Sequence, residues 1–302
     1  MASIRSRLLW PAMLGFRAWQ RRLVRQGPEA IVRFSVRSAR MAPAPRLPKG
    51  VRRERGLVGG IPGDWLRPEV AGPSKARVMF VHGGGIFFGL TTPHVEVAAL
   101  IASLTGLPTF AVDHRLMPAH PYPAAHDDTS AAFAALAAEG PVVLVGESSG
   151  GVLSLAAMQR ARAAGSRQPV LWVGISPTID YDFDRSPDYA ITDDPFNAPE
   201  FSALMHREYV AGADLSTPDL SPVAAGLAGM PPMVVHVAEH DLLLGHARRL
   251  VATATAAGVP CSSHEWSGIW HGWHLIGFLP EAQQALAELA HEIRRHTAHD
   301  AS

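Results

Sequence analysis

Val142-Val143-Leu144-Val145-Gly146-Glu147-Ser148-Ser149-Gly150-Gly151-Val152 begins as an apolar, β-rich run and passes through a G-x-S-x-G pattern, residues 146–150, into a segment of helical spacing, residues 152–164. A strand that turns sharply into a helix brings backbone segments too close for a Cβ, so glycines flank the serine and its hydroxyl is pushed outward. The bare pattern arises by chance in roughly one chain of this composition in six, so the strand–turn–helix setting carries the reading. It predicts an exposed serine nucleophile at Ser148.

Working outward, short β-rich runs recur at residues 78–81, 109–112, 170–175, 234–237 and 263–266. Helical spacing fills residues 95–104, 129–138 and 247–257 between them. Strand alternating with helix predicts an α/β fold, a mostly parallel sheet covered on both faces. Residues 179–220 break the rhythm: they are rich in Asp, Pro and Tyr, include a predicted helix over 199–210, and read as an insertion above the carboxyl edge of the sheet. Near the amino terminus, Leu8, Leu9, Met13, Phe16, Trp19, Leu23 and Val24 form the stripe of an amphipathic helix within residues 1–40, and a Pro-rich stretch at 41–48 ends it. The expected organisation is amino-terminal helices over 1–50 and a main domain over 51–302, with an insertion at about 179–220.

His82-Gly83-Gly84-Gly85 follows directly on the run 78–81. As a structural element it is a flexible glycine loop. As a functional one it lets the amides of Gly83, Gly84 and Gly85 converge with that of Ser149 into an oxyanion hole, and His82 shapes the loop. A serine needs a base and the base an orienter, in the order Ser, Asp or Glu, His. Asp241 follows the run 234–237, and His271 follows the run 263–266. With fifteen histidines in the chain, a histidine after a strand means little alone; its place in the order and the adjacent Gly272 single out His271. His274 precedes Leu275 and Ile276, which read as the next helix packing down, and is set aside as base.

Together, the H-G-G-G at His82, the G-E-S-S-G-G at Gly146, the stretch Asp113-His114-Arg115-Leu116-Met117-Pro118-Ala119-His120-Pro121-Tyr122-Pro123-Ala124-Ala125, the Asp241 segment and His271-Gly272 resemble the hormone-sensitive-lipase-like branch of the α/β-hydrolases over about residues 55–290. The resemblance implies an α/β-hydrolase fold in which the amino-terminal helices over 1–50 and the insertion at about 179–220 form a helical cap on a catalytic domain over 51–302, and a serine esterase acting on short- or medium-chain acyl esters. His114 stands where that family has tyrosine, Ala119 where it has glutamate, Ser149 where alanine is common, and Glu147 where aspartate is common. Open alternatives are an acyltransferase or lyase reaction on the same residues, or a binding module on an inactive scaffold.

The 302 residues, 47% hydrophobic and 18% charged, exclude wholesale disorder and a coiled-coil rod. Cys261 is the only cysteine, so no internal disulfide forms, and a cytoplasmic location is the default expectation. A net charge of zero hides fourteen Lys and Arg against Glu29 and Glu54 in residues 1–55. That excess admits nucleic acid, a membrane surface or an acidic partner, but a helical lid with solvent-facing arginines is the expectation, without a membrane anchor or nucleic acid. The apolar stretch 8–16 imitates a secretory signal, but Pro11 interrupts it and no cleavage site follows, so the mature chain is expected to start at its first residues. No cofactor and no metal are expected: His236, His240 and His246 would point apart, and Asp182, Asp184, Asp188, Asp193 and Asp194 read as a solvated acidic lid. The partner is a small acyl ester, and the assembly is left open between monomer and homodimer.

Overall fold

The computed structural model describes residues 2–182 and 193–298; Asp184 and Asp188 therefore lie outside the described residues. Along the chain run helices α1 (Ile4–Arg25) and α2 (Pro28–Met41), strands β1 (Val51–Val58), β2 (Ile61–Pro68) and β3 (Arg77–Val81), α3 (Thr92–Thr105), β4 (Thr109–Val112) and α4 (Ala124–Glu139). The chain continues through β5 (Val142–Glu147), α5 (Ser149–Ala163), β6 (Leu171–Ile175), α6 (Pro199–Val210), β7 (Met233–His240), α7 (Leu244–Ala256), β8 (Cys261–Trp270) and α8 (Pro280–Thr297). The strands form one sheet in the order β1-β2-β4-β3-β5-β6-β7-β8, in which only β2 pairs antiparallel, to β1 and to β4.

Why the interior strands read as unbroken apolar runs is visible in the two cores. Val78, Phe80, Val143, Val145, Val173 and Val234 face the α3/α8 side, whereas Met79, Val81, Leu144, Trp172 and Val235 face the α4/α5/α7 side. Alternate residues of a strand point to opposite faces, and both faces are covered, so every position is apolar. Strand order reverses between β3 and β5, and the crevice at their carboxyl ends is where an open α/β sheet takes its ligand. The H-G-G-G loop leaves β3 and the Ser148 turn leaves β5 at that crevice.

Two local readings change. The amino-terminal stripe lies along one helix, α1, and a second helix follows it: Gly27, at φ 85, caps α2, and Pro28 occupies its first turn, where a missing N–H costs nothing. Pro11 sits inside α1 without ending it, on the exposed side, and Leu8 of the stripe faces solvent. His274 and Leu275 belong to a 3-10 turn, Trp273–Leu275, and the next helix starts only at Pro280.

The crossing of α5 over β3 leaves no room at Gly150, where an added Cβ would stand 2.1 Å from the Val81 carbonyl oxygen. Gly150→Ala is expected to destabilise the fold by about 2 kcal/mol or more, because backbone rather than a flexible side chain must move. Urea denaturation followed by tryptophan fluorescence measures it; an unchanged midpoint would show that the crossing is looser than described.

Candidate active site

The β5–α5 turn holds Ser148 at φ 50 and ψ −122, a strained conformation for a residue with a Cβ. The Ser148 amide donates to the Ile175 carbonyl at 3.0 Å, and the Ser148 carbonyl accepts from Gly151 and Thr178, both at 2.9 Å. Those bonds fix the turn and leave the side chain aimed out of it. His271 Nε2 lies 3.1 Å from Ser148 Oγ, and His271 Nδ1 lies 3.0 Å from Asp241 Oδ1. Asp241 is acceptor only, so Nδ1 carries the proton and Nε2 offers its lone pair to the Ser148 hydroxyl.

Asp241 is fully buried, and its remaining acceptor capacity is used: Oδ1 also accepts from the Leu243 amide at 2.8 Å, and Oδ2 accepts from the Ser176 hydroxyl. Burial alone would raise its pKa, but the His271 charge and these donors outweigh it and hold the group ionised. For His271 the balance runs the other way. Burial disfavours the imidazolium, but the Asp241 charge and hydrogen bond, with smaller help from Asp194 and Glu147, raise the pKa above the ordinary value.

The four amides assigned to an oxyanion hole are not equivalent. Gly83 N–H donates to Glu147 Oε2 at 2.7 Å, which takes it out of the set. Gly85 N–H donates to Ser149 Oγ at 3.0 Å. The amides of Gly84 and Ser149 make no hydrogen bond within the described residues. Gly83 still needs to be glycine, since a Cβ there would lie 2.6 Å from the Ser148 Cβ.

Glu147 is the clamp of this loop. It is buried, with His94 Nε2 at 3.3 Å from Oε2 and His274 Nε2 at 3.5 Å from Oε1. Burial would raise its pKa, but the neighbouring His274 and His94 outweigh that and keep it well below the ordinary value. His82 is buried too; its Nδ1–H donates to Gly83 O at 2.8 Å and its ring stacks on His114 at 4.3 Å between centroids. The His114 that departs from the family's tyrosine thus packs beneath the loop, and burial pushes the pKa of both imidazoles down.

A cavity of about 200 Å³ opens above Ser148. Phe16, Trp19 and Gln20 of α1 line it, facing Phe196 and Asn197 of the insertion, Phe201 and Met205 of α6, and Phe88 beyond the glycine loop. Trp10 does not reach it: its ring meets His240 and Trp270 edge-on at 5.0 and 5.8 Å. The polar residues set aside as a metal site do not converge. His236 Nδ1 accepts from Trp266 at 3.3 Å, His240 Nδ1 sits 2.7 Å from Asp193, and His246 Nδ1 accepts from the Ile179 amide at 3.1 Å. Asp194 corrects the picture of a solvated acidic lid, because it is fully buried beside Asp241 and His271. No sequence signal separated it from Asp193, which is exposed.

Comparison with known proteins bears on the fold and the family. Residues 78–275 match the family described as alpha/beta hydrolase fold. An acetyl-hydrolase of Streptomyces hygroscopicus is 30% identical over 236 residues, 76% of this chain and 78% of the relative. The esterase LipU of Mycobacterium tuberculosis is 30% identical over 74% of this chain and 79% of its own length. Among solved structures, an esterase from the bacterial hormone-sensitive lipase family superposes with a TM-score of 0.84 at 29% identity, covering 98% of this chain and 100% of that one. The chain belongs to the α/β-hydrolase fold family, in its hormone-sensitive-lipase-like branch of serine hydrolases.

Proposed function

We propose that the protein is a serine carboxylester hydrolase that cleaves short- to medium-chain acyl esters through an acyl-enzyme. The observation that carries this reading is the unbroken line from Ser148 Oγ to His271 Nε2 at 3.1 Å and from His271 Nδ1 to Asp241 at 3.0 Å, set beside two undonated amides. Ser148 Oγ attacks the ester carbonyl as His271 takes its proton, and Asp241 stabilises the imidazolium. Negative charge gathers on the former carbonyl oxygen, within reach of the Gly84 and Ser149 amides, with Gly85 joining if the Ser149 hydroxyl releases it. The imidazolium then protonates the departing alcohol. Water, deprotonated by the same histidine, attacks the acyl-enzyme, and the acid leaves with Ser148 restored.

None of these steps calls on a cofactor or metal. The aromatic lining and the cavity of about 200 Å³ favour a short acyl chain. Among the described residues no helix is long and apolar enough to cross a membrane. We place the work of the enzyme in the cytoplasm, on small esters, without nucleic acid or a membrane anchor. Turnover with added alcohol distinguishes hydrolysis from acyl transfer, since a transferase would put most of the acyl group on the alcohol.

Ser148→Ala is expected to lower kcat on chromogenic esters by roughly 10³-fold or more, and His271→Ala by about as much, because the pair acts as a unit. His274→Ala should cost about tenfold or less, acting through Glu147 and packing. Burst kinetics on the two histidine variants decide; a burst kept by His271→Ala and lost by a folded His274→Ala would reverse the assignment. Trp19→Ala, which removes one wall of the cavity, is expected to shift the preferred acyl chain upward by about two carbons or more while Ser148 still acylates. Specificity constants over a graded ester series measure the shift, and an unchanged profile would place α1 outside the acyl subsite.

A further inference from the structure

Asp194 stands in the cap insertion at the start of the turn Asp194-Pro195-Phe196-Asn197, far in sequence from every residue of the triad. It is fully buried. Its carboxylate is tied at both oxygens: Oδ1 accepts from the amides of Phe196 at 2.8 Å and Asn197 at 3.1 Å, and Oδ2 accepts from the Leu242 amide at 3.0 Å. Leu242 is the residue next to Asp241, and the following amide, Leu243, donates to Asp241 itself. Two carboxylates thus grip consecutive amides of one loop. Atoms of Asp194, Asp241 and His271 lie within 4.8 Å of one another. The turn that Asp194 closes also places Phe196, whose ring stacks over His271 at 6.1 Å and on Phe16 of α1 at 5.0 Å.

The three backbone donors engage both carboxylate oxygens, which an amide side chain with its single acceptor oxygen would not match, and they hold a second carboxylate next to Asp241. That charge is costly to bury, and beside those three donors it is the imidazole that offsets it. We propose that Asp194 is a positioning residue for the reaction: seated by the cap turn, its carboxylate raises the basicity of His271 and stabilises the imidazolium formed as Ser148 is acylated, so that the base is at full strength only with the cap turn docked on the Asp241 loop. This inference rests on the esterase reading of the site.

The charged and titratable groups facing His271 are Asp241 from the β7–α7 loop, Asp194 from the insertion, Glu147 from the end of β5, and His274 from its own turn. Burial raises the Asp194 pKa to about 7, Asp241 adds to the rise, and the His271 charge opposes it. Below that range Asp194 is protonated and lends no charge; above it the carboxylate holds the proton on His271 more tightly. Removing the charge therefore moves the deprotonation of His271 to lower pH and weakens the imidazolium in the transition state.

The test is the pH dependence of Ser148 phosphonylation by a fluorophosphonate, in which the serine oxygen displaces fluoride, on the full chain and on Asp194→Asn. Asparagine keeps the shape and an acceptor oxygen. The expected result is an acid limb shifted down by about one pH unit and a plateau rate lowered by up to about tenfold. A limb at the same pH, with only thermal stability or ester KM changed, would overturn the proposal and leave Asp194 as a cap anchor. Because labelling reports Ser148 and His271 directly, labelling without ester turnover would count against the esterase reading alone. If Asp194→Asn does not fold, 13Cγ-aspartate NMR of the unmodified protein replaces it. A buried aspartate whose titration produces a matching step in the His271 ring signals is expected, and His271 signals that show no step with any aspartate other than Asp241 would overturn the proposal.

Discussion

Ser148 holds φ 50 and ψ −122 on a residue that has a Cβ, and every other part of the site takes its position from that strained turn. A backbone of this kind costs about 1–3 kcal/mol and persists only where its surroundings over-determine it. Here the surroundings are specific. The Ser148 amide and carbonyl are bound to β6 and to the loop that follows it through Ile175 and Thr178. Gly146 and Gly150 would each place a Cβ within 2.3 Å of a neighbour, so both positions are closed to larger residues. The turn can therefore be built only where β5 lies between β3 and β6, which is the middle of the sheet. Once it is there, the glycine loop after β3 has one place to go: against the Ser148 Cβ, with its first glycine amide on Glu147.

The interior of the fold was legible because its physics is local. A strand covered on both faces must be apolar at every position, and β3 to β7 each carry such a run. The β1–β2 hairpin was not read, for the opposite reason. β1 is Val-Arg-Arg-Glu-Arg-Gly-Leu-Val, buried only at its two ends, and belongs to the sheet as a charged edge. Such an edge resists pairing with other chains and leaves no hydrophobic period to detect. Only Gly59-Gly60, both at positive φ, marks the turn. The same hairpin changes the meaning of the amino-terminal charge. Arg53 and Arg55 pair with the buried Asp64, Arg55 also with Asp113, and on α1 Arg21 reaches Glu200 at 3.4 Å. Part of the excess that suggested an anionic partner is internal pairing.

In the site, chain order and strand ends brought Ser148, Asp241 and His271 to view, and the structure brings them together. The spacing of glycines could not say which amides stay free. That depends on Glu147, a side chain from another strand, whose position in the motif gives its charge but not its direction. Asp194 was illegible for a deeper reason. A run of acids with prolines reads as solvated because isolated carboxylates resist burial, and only tertiary structure can supply the backbone donors that overcome that cost. The donors for Asp194 come from its own turn and from Leu242, 48 positions away.

The buried groups around the nucleophile are unbalanced in a definite direction. Asp241 and Glu147 are held ionised, Asp194 adds a third carboxyl, and His82, His114 and His274 are pushed by burial toward their neutral forms. The His271 pKa, by contrast, is raised, with the Asp241 charge and hydrogen bond opposing the effect of burial. The proposed proton transfer from Ser148 creates an imidazolium at the carboxylate end and moves the matching negative charge toward the Gly84 and Ser149 amides, which make no hydrogen bond among the described residues. Charge separation, which in a neutral apolar pocket would be the expensive part of the step, is here directed along a field already built into the folded chain. The aromatic stack Phe16–Phe196–His271 lies over the base, which is itself buried, and burial lowers the effective dielectric in which the field acts. On the proposed role of Asp194, the insertion belongs to the electrostatics of the reaction as well as to the shape of the pocket.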